Sequence, residues 1–168
     1  MVLTKEEFLA SLQNEVRILL HLAGKIDRDR LDYRPSSNQR STLELLRYLT
    51  FMGPTMIAFA RAGAFDPQAW QAAAAPTQSL SFEQTLAALE KLKSTYATQL
   101  QPWSDEDFRG EVEMLGSKST RGAFLVHLVL SAHAAYRTQL FLYLKACGRS
   151  ELNTMNLWAG MDSPPAAA

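Results

Sequence analysis

The chain is poor in the side chains from which metal sites, disulfides and nucleophilic centres are usually built. Its 168 residues include one cysteine, Cys147, and three histidines. A single cysteine excludes an intramolecular disulfide and any multi-cysteine zinc motif. Cys147 stands just before Gly148 at the end of an apolar helix, with no second cysteine or base in sequence reach. It reads as a small packed side chain rather than a reactive thiol. His127 and His133 share the long helix near the C-terminus, but at six positions apart they point about 120° away from each other. Two ligands from one helix meet at one metal only at i,i+3 or i,i+4 spacing, so these two do not form a pair.

Neither sign of charge prevails: lysine plus arginine and aspartate plus glutamate number 17 each. No basic stripe with interleaved aromatics is present, which argues against nucleic-acid binding through phosphate neutralisation. Arg28, Arg30, Arg34 and Arg40 cluster, but Asp27, Asp29 and Asp32 are threaded among them, the pattern of a solvated loop. No run approaches 18 apolar residues, and the opening Met-Val-Leu-Thr-Lys-Glu-Glu lacks a signal pattern. The expectation is a soluble cytoplasmic protein with no membrane partner. No Ser-His-Asp order, P-loop, dinucleotide fingerprint or His-Glu-x-x-His occurs.

What is there is helix. Thr4 with Glu7 forms a capping box, and Phe8, Leu9, Leu12, Val16, Leu19, Leu20, Ala23 and Ile26 follow on one face. Ser41 with Glu44 opens a second, more apolar helix containing Gly53-Pro54, where a kink or break is expected because proline removes a ladder bond. Gly63 is its natural stop. Ala64 to Ser79 is an irregular connection in which Gln68 to Ala75 can form a short helix. Ser81 with Gln84 opens a third helix that ends at Pro102. A single helical turn is expected at Ser104 to Asp107 and an extended piece at Val112 to Gly116. The fourth long helix runs from Thr120 to Gly148, and the tail from Ser163 is expected to be disordered. Four amphipathic helices with long irregular connections make an all-α four-helix bundle, one domain over residues 1–162.

Three ordered segments carry a family resemblance. The first is Arg40-Ser41-Thr42-Leu43-Glu44-Leu45-Leu46-Arg47-Tyr48-Leu49. The second is Thr120-Arg121-Gly122 leading to Tyr136-Arg137-Thr138-Gln139-Leu140. The third is Tyr143-Leu144-Lys145-Ala146-Cys147-Gly148, with Asn156-Leu157-Trp158-Ala159-Gly160 after it. In order and spacing the set resembles the DinB/YfiT-like family of four-helix bundles. The resemblance implies the bundle fold and a homodimer. It also implies a metal held by one histidine of the second helix and two, four apart, from the last. The matching positions are Tyr48, Ala132 and Tyr136, none of them histidine, and His133 is one residue out of register. A one-residue shift turns a side chain about 100° around the helix. The expectation is therefore no metal and no cofactor.

Tyr48, Met52, Ala132, His133 and Tyr136 are the candidate ligand-pocket residues. Tyr48 and Tyr136 either fill the volume of the missing metal or line a small-molecule pocket. His133 is either a hydrogen-bonded structural residue or a general base, and His127 and His21 have the structural reading more strongly. Met52, Met56, Phe51, Phe59 and Trp103 are core or an adaptable apolar pocket near Pro54. Glu111 and Glu113 lie on one side of an exposed strand, and Arg137 and Gln139 tie the last helix to loops or to a partner. No catalytic residue is assigned. The first functional reading is a metal-free protein that binds a small apolar or amphipathic ligand or a second copy of itself, packed mainly through the last long helix. The alternatives are a metal-dependent hydrolase or low-molecular-weight-thiol S-transferase using other ligands, and a stress-response interaction module without a pocket.

Overall fold

The computed structural model describes residues 3–163. Four long helical segments form the bundle: α1 (Lys5–Ala23), α2 (Thr42–Ala62), α4 (Phe82–Leu100), and a last segment built from α6 (Arg121–Leu125), a π-helical turn (Val126–Leu130) and α7 (Ser131–Ala146). Each packs on two neighbours, α1 and α2 both lying against α4 on one side and α7 on the other. Short α3 (Pro67–Ala74) and α5 (Asp105–Arg109) cover the connections.

The helix starts follow from local chemistry. Thr4, Ser41 and Ser81 each accept from the amide three residues on, while Glu7, Glu44 and Gln84 reach back to the cap amide. Each reciprocal pair satisfies two of the donors that a helix start leaves free. Asp66 caps α3 by accepting from the amides of Gln68 and Ala69 at 2.8 and 3.1 Å, with Pro67 in the first turn, where its missing N–H costs nothing.

One apolar core runs through the bundle, with Phe8, Leu12, Val16, Leu45, Leu46, Leu49, Leu89, Tyr96, Val129 and Leu140 shut off from solvent. Pro54 does not break α2, which is continuous from Thr42 to Ala62. Beside it the Gln99 side-chain amide donates to the Pro54 carbonyl at 3.1 Å, tying α4 to this turn.

Four features depart from the sequence expectation. The last long helix is not uniform: its π-helical turn carries extra residues, so faces upstream of Val126 do not extrapolate to those after Ser131. The segment after α5 is a full hairpin, β1 (Glu111–Met114) pairing antiparallel with β2 (Ser117–Thr120) through Leu115-Gly116. A second π-helical turn covers Met155–Ala159. The solvated loop expected from the interleaved Asp27, Arg28, Asp29 and Arg30 contains a 3-10 turn at Arg28–Arg30. Of the tail expected from Ser163 onward, only Ser163 is among the described residues, and its hydroxyl meets the Asn153 side chain at 2.9 Å.

The stretch after α7 lies along α1. Arg17 donates to the carbonyls of Ala159 and Gly160 at 2.7 and 3.2 Å. Lys25 pairs with Asp162 at 2.7 Å, and the Asn156 side chain meets His21 Nε2 at 3.1 Å. Gly160 has φ +58°, and a Cβ there would stand 3.0 Å from the Ile18 Cα. Only glycine satisfies both the backbone and the approach at that point.

Candidate functional site

α2 has two working faces. Leu45, Leu46, Leu49, Met52, Met56 and Ile57 turn into the core. Glu44, Arg47, Tyr48 and Phe51, at i, i+3, i+4 and i+7, form a separate stripe on one side of the helix. Facing that stripe are Trp70 and Ala74, one turn apart on α3, and Thr77 and Gln78 just beyond it. Together with Arg40, which immediately precedes the Ser41 cap, they line an open cleft of about 470 Å³. That is within the usual range for small-molecule sites, roughly 300–1,000 Å³.

The floor of the cleft is aromatic. The Tyr48 ring contacts Phe51, Trp70 and Tyr136 with centroid separations of 5.5, 6.2 and 5.2 Å, and Phe51 and Trp70 meet at 5.1 Å. Edge-to-face packing of this kind holds rings in fixed orientations. Burial raises the Tyr48 phenol well above its ordinary range, the Tyr136 phenol adds to this, and the Arg40 cation only partly opposes it. Tyr48 is therefore a neutral hydrogen-bonding group at any physiological pH.

The rim is charged. The Arg40 guanidinium lies 3.9 Å from the Tyr48 ring centroid. Its position is set by the segment before α2: Thr42 N–H donates to the Tyr33 carbonyl at 2.9 Å and the Tyr143 hydroxyl donates to the Arg40 carbonyl at 3.0 Å. Arg47 donates from Nε to the Leu80 carbonyl at 2.8 Å, with Nη2 directed at the same oxygen. Glu44 is already engaged. It accepts from the Ser41 amide at 2.7 Å and pairs with Arg34 at 3.2 Å, and the capping hydrogen bond with the nearby Arg34 charge holds its carboxyl below the usual range despite some burial.

The five residues singled out from sequence separate into two environments. Tyr48 is on the cleft wall and Tyr136 packs against its ring from behind. Ala132 is half-buried against the core. Met52 is fully buried, and His133 is buried and turned away, its Nε2 2.6 Å from the Tyr96 hydroxyl. Burial drives the His133 imidazole down to about 4. It is a neutral core residue. Of the wider apolar set, Phe51 faces the cleft while Met52, Met56, Phe59 and Trp103 are buried. His127 is exposed, and His21 is half-buried against the C-terminal stretch. Arg137 ties α7 to that stretch and to α1, donating to the Leu157 carbonyl at 2.6 Å and pairing with Glu15 at 3.1 Å.

Sequence reasoning missed Arg40, Arg47 and Trp70 as site residues. The i, i+3, i+4, i+7 stripe on α2 was the signal available, together with Trp70 as the one large apolar side chain in an alanine–glutamine helix.

A match to the DinB family model covers residues 1–162. The chain belongs to the DinB family. A crystal structure of a DinB-like protein from Bacillus subtilis, YjoA, superposes with a TM-score of 0.66 at 20% identity, covering 87% of this chain and 94% of that one. That likeness concerns the fold. No curated protein matches the chain.

The metal that the family resemblance implies does not fit this DinB-family chain at the three registered positions. Two phenols in ring contact and a methyl group stand there, and the nearby histidine is engaged with Tyr96. Among the described residues no cluster of three histidine, cysteine, aspartate or glutamate side chains is arranged to hold an ion. Among the same residues no helix is long and apolar enough to cross a membrane.

Proposed function

We propose that this DinB-family protein binds a small amphipathic molecule in the cleft between α2 and α3. The observation that carries the reading is the cleft wall itself: Tyr48, Phe51 and Trp70 offer an apolar floor, and Arg40 and Arg47 offer oriented donors at its rim. A concave aromatic surface with a few convergent polar groups is what small-ligand sites share. Tyr48 and Tyr136, where the resemblance implies ligating histidines, support recognition over metal chemistry, because burial keeps the Tyr48 phenol neutral and the Tyr136 ring packs against it. Titration with 2-naphthylmethanol, followed by NMR at the Trp70 indole N–H, tests this. Saturable shifts that weaken or vanish in Phe51→Ala, which keeps the Trp70 reporter, are expected. A signal unmoved at millimolar ligand would overturn the reading.

Two copies associate in the same proposal. Leu142 on α7, and Trp158 and Met161 after it, are each more than half exposed. Large apolar side chains left outside a bundle are commonly covered by a second copy through one self-complementary contact.

A further inference from the structure

Resting on the cleft-binding reading, we propose that the ligand is a flat aromatic carboxylate, its carboxylate received by Arg40 and Arg47 and its ring laid against Phe51 and Trp70. The charge around the cleft argues for an anion. Its lining carries two cations and one carboxylate, and that carboxylate, Glu44, is already paired with Arg34. Among the described residues neither Arg40 nor Arg47 has a carboxylate partner. The α2 N-terminus is not the anion site, since Ser41 and Glu44 already satisfy its cap.

The geometry argues for a carboxylate in particular. A guanidinium stacked on a ring uses its π face for that contact, while all its N–H groups point outward in its own plane. The Arg40 guanidinium carbon lies 3.9 Å from the Tyr48 ring centroid. A guanidinium seated on a ring keeps N–H groups available for the two oxygens of a carboxylate, which match its fork. Arg47 is anchored through Nε and Nη2 to the Leu80 carbonyl, which leaves Nη1 for the ligand. Stacking and anchoring both remove side-chain freedom before binding, so little remains to be lost on association. The aromatic body follows from the opposite wall, where Phe51 and Trp70 are fixed against each other at 5.1 Å and present ring surfaces to the cleft.

The experiment compares 2-naphthoate with the neutral 2-naphthylmethanol by calorimetry, with the Trp70 indole N–H as the positional readout. Naphthoate should bind about tenfold more tightly, the equivalent of one charge-assisted hydrogen bond gained over a neutral one. Arg40→Gln should remove most of that advantage, weakening naphthoate binding by clearly more than it weakens naphthylmethanol binding. Arg40→Lys, which keeps the charge without the fork, should recover only part of it. Equal affinity for the two probes would overturn the anion assignment while leaving the cleft as a binding site. Preference for naphthoate that survives both Arg40→Gln and Arg47→Gln would overturn the assigned arginines. Absence of saturable binding by either probe would remove the cleft reading as well.

Discussion

The Tyr96 hydroxyl meets His133 Nε2 at 2.6 Å directly above Gly53, where a Cβ would stand 2.1 Å from the phenol oxygen. Three bundle helices are interlocked at this point: α2 gives the space, α4 the phenol and α7 the imidazole. His133 Nδ1 has no hydrogen-bond partner. If Tyr96 donates to Nε2, an N–H is left unpaired on the imidazole. If Nε2 donates instead, the phenol proton has no acceptor. At least one buried polar group is stranded in either case, at a cost of about 1–3 kcal/mol each.

Gly53→Ala should destabilise the protein by about 1–3 kcal/mol, the range for overpacking a filled core. The added methyl must displace Tyr96 and stretch its bond to His133. Tyr96→Phe in the same chain should recover part of the loss, since the 2.1 Å contact goes while the ring carbon at 2.9 Å remains. Urea midpoints of the single and double variants check this, and strictly additive losses would refute the interlock.

His133 should make stability depend on pH. Its folded value, about 4, lies below the ordinary 6.5 because burial disfavours the cation. The unfolded chain therefore takes up a proton first as pH falls. The contribution is complete above pH 6.5 and is lost progressively toward pH 4, by about 3 kcal/mol in all. His133→Gln cannot titrate, so its unfolding free energy should fall less across that window. Parallel pH profiles for the two proteins would count against a buried neutral imidazole.

Glu15 and Arg137 form an ion pair largely out of solvent, and burial pushes the Glu15 carboxyl up against the pull of the Arg137 charge. Removing either partner should cost about 3–5 kcal/mol by stranding the other. The double change Glu15→Leu with Arg137→Met should cost clearly less than the sum of the singles. Thermal or chemical denaturation of all four proteins gives the coupling energy directly. A coupling near zero would mean that the two charges are solvated independently.

For the association of two copies, light scattering at micromolar concentration should give twice the 18.7 kDa chain mass. Leu142→Gln combined with Trp158→Ser should shift it toward the monomer without lowering helical content. A monomer mass for the unaltered chain would refute the pairing.

Much of the bundle was legible because its punctuation is local. The Thr4, Ser41 and Ser81 capping boxes mark helix starts through bonds made within four residues, and Gly63 at φ +77° marks a stop. Strand β2 was hidden because Ser117-Lys118-Ser119-Thr120 has no apolar alternation. Its turn also gave no signal: Leu115 and Gly116 both have positive φ, 57° and 74°, and such turns usually announce themselves with Asn-Gly or Asp-Gly. The π-helical turns depend on packing between distant elements, which periodicity does not encode. The cleft was misjudged for a different reason. Reading inward from the bundle axis finds Tyr48 and Tyr136, but the open side of Tyr48 faces α3, and nothing in the α2 sequence fixes where α3 docks. Arg40 then reads as one more loop charge until its stacking on Tyr48 is seen.

The latch between α1 and the stretch after α7 imposes an order on synthesis. Arg17 bonds carbonyls 142 and 143 residues further on, and Glu15 pairs with Arg137. While the chain is still emerging, α1 presents a long apolar stripe with few of its native neighbours yet made. It has to wait for α4 and then α7 before most of that stripe is covered, with the final turns closing only its last part, and contacts so distant in sequence form slowly. A nascent chain stalled before α7 would therefore hold an incompletely covered greasy helix, an obvious target for a chaperone or a protease. The same glycine that lets Ile18 and residue 160 touch is thus among the last pieces needed to retire that hazard.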